Sequence, residues 1–131
     1  MIPRCLYDSD HEMFRDSLRK FIETEAMPHH EQWEKDGMVS DEIWLKAGEQ
    51  GFLCPMIPEE YGGVGTDFLY NCIVNEEIGR SGCTGLGWTL HNDITVPYIV
   101  RYGSEEQKGK YLPSLAKGET IGCFGLTEPN V

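Results

Sequence analysis

The chain has 131 residues, 40% of them hydrophobic and 25% charged, proportions of a folding globular chain with a real core and not of a disordered or low-complexity one. Eleven basic against 22 acidic residues leave a net charge of −11. That field repels nucleic-acid backbones and anionic bilayers, and excludes both as expected partners, but not a small anionic ligand held by local donors.

Cys5, Cys54, Cys72, Cys83 and Cys123 are odd in number and never form CxxC, so neither a disulfide framework nor a zinc site is expected. The opening "MIPRCLYDSD" has no apolar run of signal-peptide length and no Arg/Ser-rich presequence, and no stretch approaches membrane-spanning length. These features predict a soluble protein of the bacterial cytoplasm, or the mature form of an organellar one.

Ser9-Asp10-His11-Glu12 has the form of a capping box, and Met13, Phe14, Leu18, Phe21 and Ile22 follow at helical spacing. The first helix is expected to close at Pro28. Ser40-Asp41-Glu42 opens a second helix with Ile43, Trp44 and Ala47 as its apolar stripe, and Gly51 stands where a C-terminal cap belongs. "CPMIPEEYGGVG" is a loop. A third helix is predicted from about Asp67 to Arg80 with Phe68, Leu69, Cys72 and Ile73 inward, and "SGCTGLG" separates it from a fourth segment, Leu86 to Tyr102, which Pro97 should kink or end. Ser104-Glu105-Glu106-Gln107 is a second capping box, starting a helix expected to stop near Leu112-Pro113. Gly118 punctuates. From Thr120 the period changes to that of a strand, with Gly122, Phe124 and Leu126 on one face. The pattern is all-α: an antiparallel helical bundle over residues 1–118, with one orphan strand over 119–131 that belongs to a truncated β domain, because a lone strand has nothing to pair with.

Few residues ask for chemistry. Glu76 and Glu77 lie at the edge of the third helix's apolar stripe, where a buried carboxylate can serve as a base, but Arg80 at i+4 and i+3 supports a structural ion pair instead. His29-His30-Glu31 lacks a second cluster at ligand spacing, so no metal is expected. In the fourth segment Thr84, Trp88, His91 and Thr95 recur on one face, with Leu86, Leu90, Ile94 and Pro97 on the neighbouring one; the first face either lines a ligand slot or covers the side of the bundle. Gly82, Gly85 and Gly87 leave room there for a close approach. "GCTGLG" has the spacing GxxGxG and follows a helix, so it is not a dinucleotide fingerprint, and no Walker A, G-x-S-x-G or HExxH sequence is present.

Several blocks, in order, resemble the N-terminal region of the flavin-dependent acyl-CoA dehydrogenases: "FRDSLRKFIETEAMPHHEQWEKDG", "IWLKAGEQGFLCPMIPEEYGGVG", "NEEIGR", "YGSEEQKGKYLPSLAKGE" and "CFGLTEP". "GLGWTLHNDI" is most like the long-chain type. In that family the "LTEP" turn is followed by a small residue and then Gly-Ser-Asp, leading into a β domain and a C-terminal four-helix domain; here Asn130-Val131 stand just before that point. The resemblance implies α,β-dehydrogenation of acyl-CoA thioesters of the fatty-acid β-oxidation type with FAD as cofactor. The catalytic glutamate would lie beyond residue 131, so this stretch alone is expected to be inactive.

By the same resemblance Phe124, Leu126 and Thr127 are expected to touch the flavin, and Thr84, Gly85, Trp88 and His91 to lie along the acyl pocket. The implied partners are an acyl-CoA substrate, electron-transfer flavoprotein or a similar acceptor, and further copies of the chain in a dimer or tetramer. The implied setting is the bacterial cytoplasm, or the mitochondrial matrix in a eukaryote. A stand-alone acyl-CoA- or protein-binding helical module, and a related acyl-CoA oxidase or flavin monooxygenase, are the rival readings.

Overall fold

A computed structural model describes residues 5–129, so the expectations placed on the first four residues and on Asn130 and Val131 lie outside the described part. The chain folds as α1 (Ser9–Phe21), a π turn (Ile22–Ala26), α2 (Met27–Asp36), α3 (Asp41–Glu49), α4 (Phe68–Ser81), α5 (Trp88–Leu90), a second π turn (His91–Thr95), α6 (Val96–Tyr102) and α7 (Glu105–Ala116), with short 3₁₀ turns at Glu59–Tyr61 and Thr84–Leu86.

The start of α1 differs from expectation by one residue. Asp8, not Ser9, is the N-cap: its carboxylate accepts from the Asp10 and His11 backbone N–H groups at 3.0 and 3.1 Å. Asp8 stands at the position from which a side-chain oxygen reaches the N2 and N3 donors, and a carboxylate there also meets the positive end of the helix dipole.

Neither proline ends its helix. Pro28 and Pro97 each sit in the first turn of an α-segment that follows directly on a π turn. Proline removes an N–H and presses its ring on the carbonyl four residues back, which costs about 3 kcal/mol inside a regular helix. The wider turn relieves both demands: the Met27 N–H reaches back to the Ile22 carbonyl and the Val96 N–H to that of His91, so the helical path continues. α7 likewise runs through Pro113 to Ala116, held by the buried Leu112, Leu115 and Ala116. The Ser104–Gln107 capping box at its start forms as read.

One core joins the elements. Leu18, Ile22 and Ala26 share one buried cluster with Phe52, Leu53, Ile57, Ile73, Val74, Leu86, Trp88 and Leu112, and each fully buried Leu or Ile contributes about 1.5–3 kcal/mol. α4 buries Asn71, Ile73, Val74, Glu77 and Ile78, whereas Phe68 is exposed and Leu69 and Cys72 only half-buried. Of the expected stripe, Ile73 alone is in the core. The helix is turned because its polar Asn71 and Glu77 find partners on other elements.

Gly118 closes the bundle. Its φ is +73°, and a Cβ there would stand 2.3 Å from the Trp44 carbonyl oxygen, so only glycine lets the chain leave α7 across α3. Beyond it, residues 121–128 form no strand. A strand is defined by a paired ladder, and among the described residues this segment has no backbone partner.

Candidate functional site

The α1–α4 contact holds the carboxylates that the sequence singled out. Glu77 is 1% exposed and accepts from Arg19 Nε and Nη2 at 2.9 and 2.8 Å, from Arg80 Nε at 2.7 Å and from Arg15 Nη1 at 3.1 Å. Burial alone would raise its pKa, but the three guanidinium groups outweigh that and hold it at about 2. Arg15 also donates to Glu76 Oε2 at 2.8 Å, and Glu76 accepts from the Tyr7 hydroxyl at 3.2 Å. A carboxylate so tightly paired and so weakly basic suits a clamp between helices. It does not suit a base. The structural reading of Glu76 and Glu77 holds, with Arg15 and Arg19 as partners that helix periodicity alone does not reveal.

His11 is buried, with Nδ1 2.8 Å from Asp8 Oδ1 and Nε2 3.5 Å from Asp67 Oδ1. His29 and His30 lie within α2, and His30 pairs with Glu34 at 3.4 Å. Among the described residues no group of three or more His, Cys, Asp or Glu side chains is placed to hold a metal ion.

The face of interest lies where α5, the second π turn and α6 meet the segment after Gly118. Its outer side is apolar and exposed: Leu90, Ile94 and Tyr98 on the helix, Ile121, Phe124 and Leu126 on the segment. The Tyr98 and Phe124 rings stack at 5.9 Å and 19°. Its inner side is buried. Asp93 accepts from the amides of Asn71 and Asn75, and Asn92 Oδ1 accepts from the Cys54 N–H at 2.8 Å, tying the helix to α4 and to the loop after α3. Cys54 needs that support, for its φ is positive, at +49°, although it carries a side chain.

His91 connects the two sides. It is 0% exposed; the Gly122 N–H donates to its Nδ1 at 2.9 Å, so Nε2 carries the proton, which it donates to the Leu115 carbonyl at 3.1 Å. Trp44 packs on the ring edge to face at 5.3 Å. Burial lowers the histidine's pKa and the Leu115 carbonyl opposes this, leaving the net shift downward and the ring neutral.

Of the residues read as one face, Thr84 and Gly85 are exposed at the start of the helical segment, while Trp88 and His91 are buried. The buried Trp88 indole N–H and Thr95 hydroxyl have no hydrogen-bond partner among the described residues. Leu90 and Ile94 face outward instead of into the bundle. Phe124, Leu126 and Thr127 are exposed on the segment, whose backbone N–H groups at 123–128 are unpaired among the described residues. Apolar side chains beside free backbone donors suit a flat heteroaromatic ring with a polar edge.

Comparison with known proteins decides the family. The profile of the acyl-CoA dehydrogenase N-terminal domain matches residues 8–119. The chain belongs to the acyl-CoA dehydrogenase family. It is 48% identical over 126 residues to the mitochondrial long-chain specific acyl-CoA dehydrogenase of Mus musculus, spanning 96% of this chain but 29% of that protein. An acyl-CoA dehydrogenase of Geobacillus kaustophilus superposes with a TM-score of 0.93 at 46% identity, over 98% of this chain and 34% of the other. A Bacillus anthracis acyl-CoA dehydrogenase solved with FAD gives 0.87 at 36% identity, over 99% and 23%. The chain thus spans about a third or less of these relatives.

Proposed function

We propose that this chain is the N-terminal part of an FAD-dependent acyl-CoA dehydrogenase acting on fatty acyl thioesters. Residues up to 118 are its helical domain, and those from 119 enter a β domain. The observation that carries the reading is the exposed segment Phe124–Thr127, apolar in its side chains, free in its backbone donors and anchored at Gly122. Flavin bound beside it would take the substrate's β-hydrogen with its electron pair while a carboxylate takes the α-proton.

The chain's own residues would orient and enclose. Phe124 and Leu126 would cover the ring and exclude water; Thr127 would offer a hydroxyl to its polar edge. The α5–α6 helix would border the acyl chain, with Thr84 and Gly85 at the open end and Trp88 and His91 backing the wall from inside. None of the carboxylates singled out here fits the base: Glu77 is clamped by three arginines at a pKa of about 2 and Glu76 pairs with Arg15. The base would come from beyond residue 131. An electron-transfer flavoprotein or a similar acceptor would reoxidise the flavin. The working form would be a homo-oligomer of the mitochondrial matrix or the bacterial cytoplasm; among the described residues no helix is long and apolar enough to cross a membrane.

The test is acyl-CoA-dependent bleaching of bound flavin, followed in the natural full-length protein and in the 131-residue chain. The full-length protein should bleach and pass electrons to an artificial acceptor without consuming oxygen, and the short chain should do neither. Oxygen consumption in step with turnover would move the assignment to an oxidase or monooxygenase on the same scaffold. Turnover by the short chain would overturn the placement of the base.

A further inference from the structure

We infer that His91 is a positioning residue, one that anchors the segment carrying Phe124, Leu126 and Thr127 to the helical body through Gly122. Segment 121–128 has no ladder of its own, and among the described residues the Gly122 N–H is its hydrogen-bond link to the bundle. Its acceptor is a ring nitrogen of the fully buried His91, whose opposite nitrogen is tied to the Leu115 carbonyl on α7. A neutral imidazole is suited to this because it accepts on one edge and donates on the other with the two atoms held rigidly apart.

Packing points the same way. A Cβ on residue 122 would stand 2.7 Å from Thr95 Cγ2 and 3.2 Å from His91 Nδ1, so the absence of a side chain lets the backbone reach the histidine. Phe124, two residues on, then falls on the Tyr98 ring. His91 and Tyr98 belong to the π turn and to α6, so one helical path sets both the anchor and the aromatic platform.

The anchor requires the unprotonated Nδ1, since an imidazolium has no lone pair to offer Gly122. The neighbourhood protects that state. Trp44 and Leu115 face the ring with apolar and backbone groups; on the same elements Lys46 is engaged with Glu25 and Glu42, while Lys117 and Glu119 are exposed. Asp93, on the histidine's own turn, faces Asn71 and Asn75.

The link to flavin rests on the function proposed above, and the experiment separates the two claims. In the 15N-labelled 131-residue chain, His91 should show the Nε2–H tautomer with an unprotonated Nδ1. His91→Asn places an acceptor near Nδ1 and His91→Gln places a donor near Nε2. Exchange of the Gly122 amide should therefore quicken roughly three- to tenfold in His91→Gln, the loss of about one hydrogen bond, and stay within about twofold in His91→Asn. Protection of the α1–α4 amides serves as the check that each variant is folded.

Equal exchange in both variants, or an Nδ1–H tautomer, overturns the anchor. In the full-length protein, His91→Gln should weaken flavin retention by a similar factor and His91→Asn should not. Loss of protection at the Gly122 amide with unchanged flavin retention upholds the anchor and removes Phe124, Leu126 and Thr127 from the flavin site.

Discussion

Glu77 shows how one side chain's role depends on partners outside its own helix. Three arginines from two helices converge on it, two of them 58 and 62 residues distant in sequence. Glu77→Gln should cost about 2–3 kcal/mol at neutral pH, less than stripping a wholly enclosed pair because Arg15 and Arg80 keep Glu76 and Glu23. The pH dependence has a definite sign. The folded pKa of about 2 lies below the ordinary 4.5, so this stabilisation is present in full above 4.5 and lost as pH falls from there towards 2. Urea unfolding across that window should show wild-type stability dropping and the variant's curve flatter; parallel curves would mean that the cluster contributes nothing linked to protonation. His11 works in the opposite sense: burial lowers its pKa, but Asp8 and Asp67 hydrogen bonds raise it further, so its contribution is present below 6.5 and lost as pH rises through the folded value.

At the scale of elements, the two π turns explain why the helical path does not stop at Pro28, where a boundary is expected, or at Pro97, where a kink or an end is. A proline signal is a statement about the carbonyl four residues back, and it ends a helix only if that carbonyl must stay in an α-ladder. Here Ile22–Ala26 and His91–Thr95 have already left it. Pro97→Ala should therefore change unfolding free energy by less than about 1 kcal/mol, far from the roughly 3 kcal/mol of a proline in regular helix. A gain near 3 kcal/mol in denaturant unfolding would show that the turn does not absorb the strain. The second π turn has a further effect, because it directs His91 inward to Leu115 and Gly122 while Ile94 stays outside.

For the whole molecule, Leu90, Ile94, Tyr98, Ile121, Phe124 and Leu126 form exposed apolar surface on the side where the terminal segment crosses the helices. Contiguous apolar surface of this kind marks an interaction face, and the relatives are about three times as long as this chain. The 131-residue chain on its own should self-associate as concentration rises, despite its net charge of −11, and Phe124→Ser with Leu126→Ser should reduce this. Sedimentation at several concentrations measures it; a monomer throughout would mean that the face needs no cover.

What the sequence by itself determined is the helices α3, α4 and α7 in their order, the cap at Ser104, the turns at Gly51, Gly82 and Gly118, and the family, because five blocks fall in order along the chain. Caps and positive-φ turns act within a few residues, so their signals are complete locally. Which carboxylate is clamped, which histidine is buried, whether a proline stops a helix and whether residues 121–128 pair were decided only by tertiary structure. Each depends on groups far apart in the chain: Arg15 with Glu77, Cys54 with Asn92, Gly122 with His91. Periodicity says that a face exists. Packing against the other elements settles which way it turns, because burying a polar side chain is favourable only where a distant partner satisfies it.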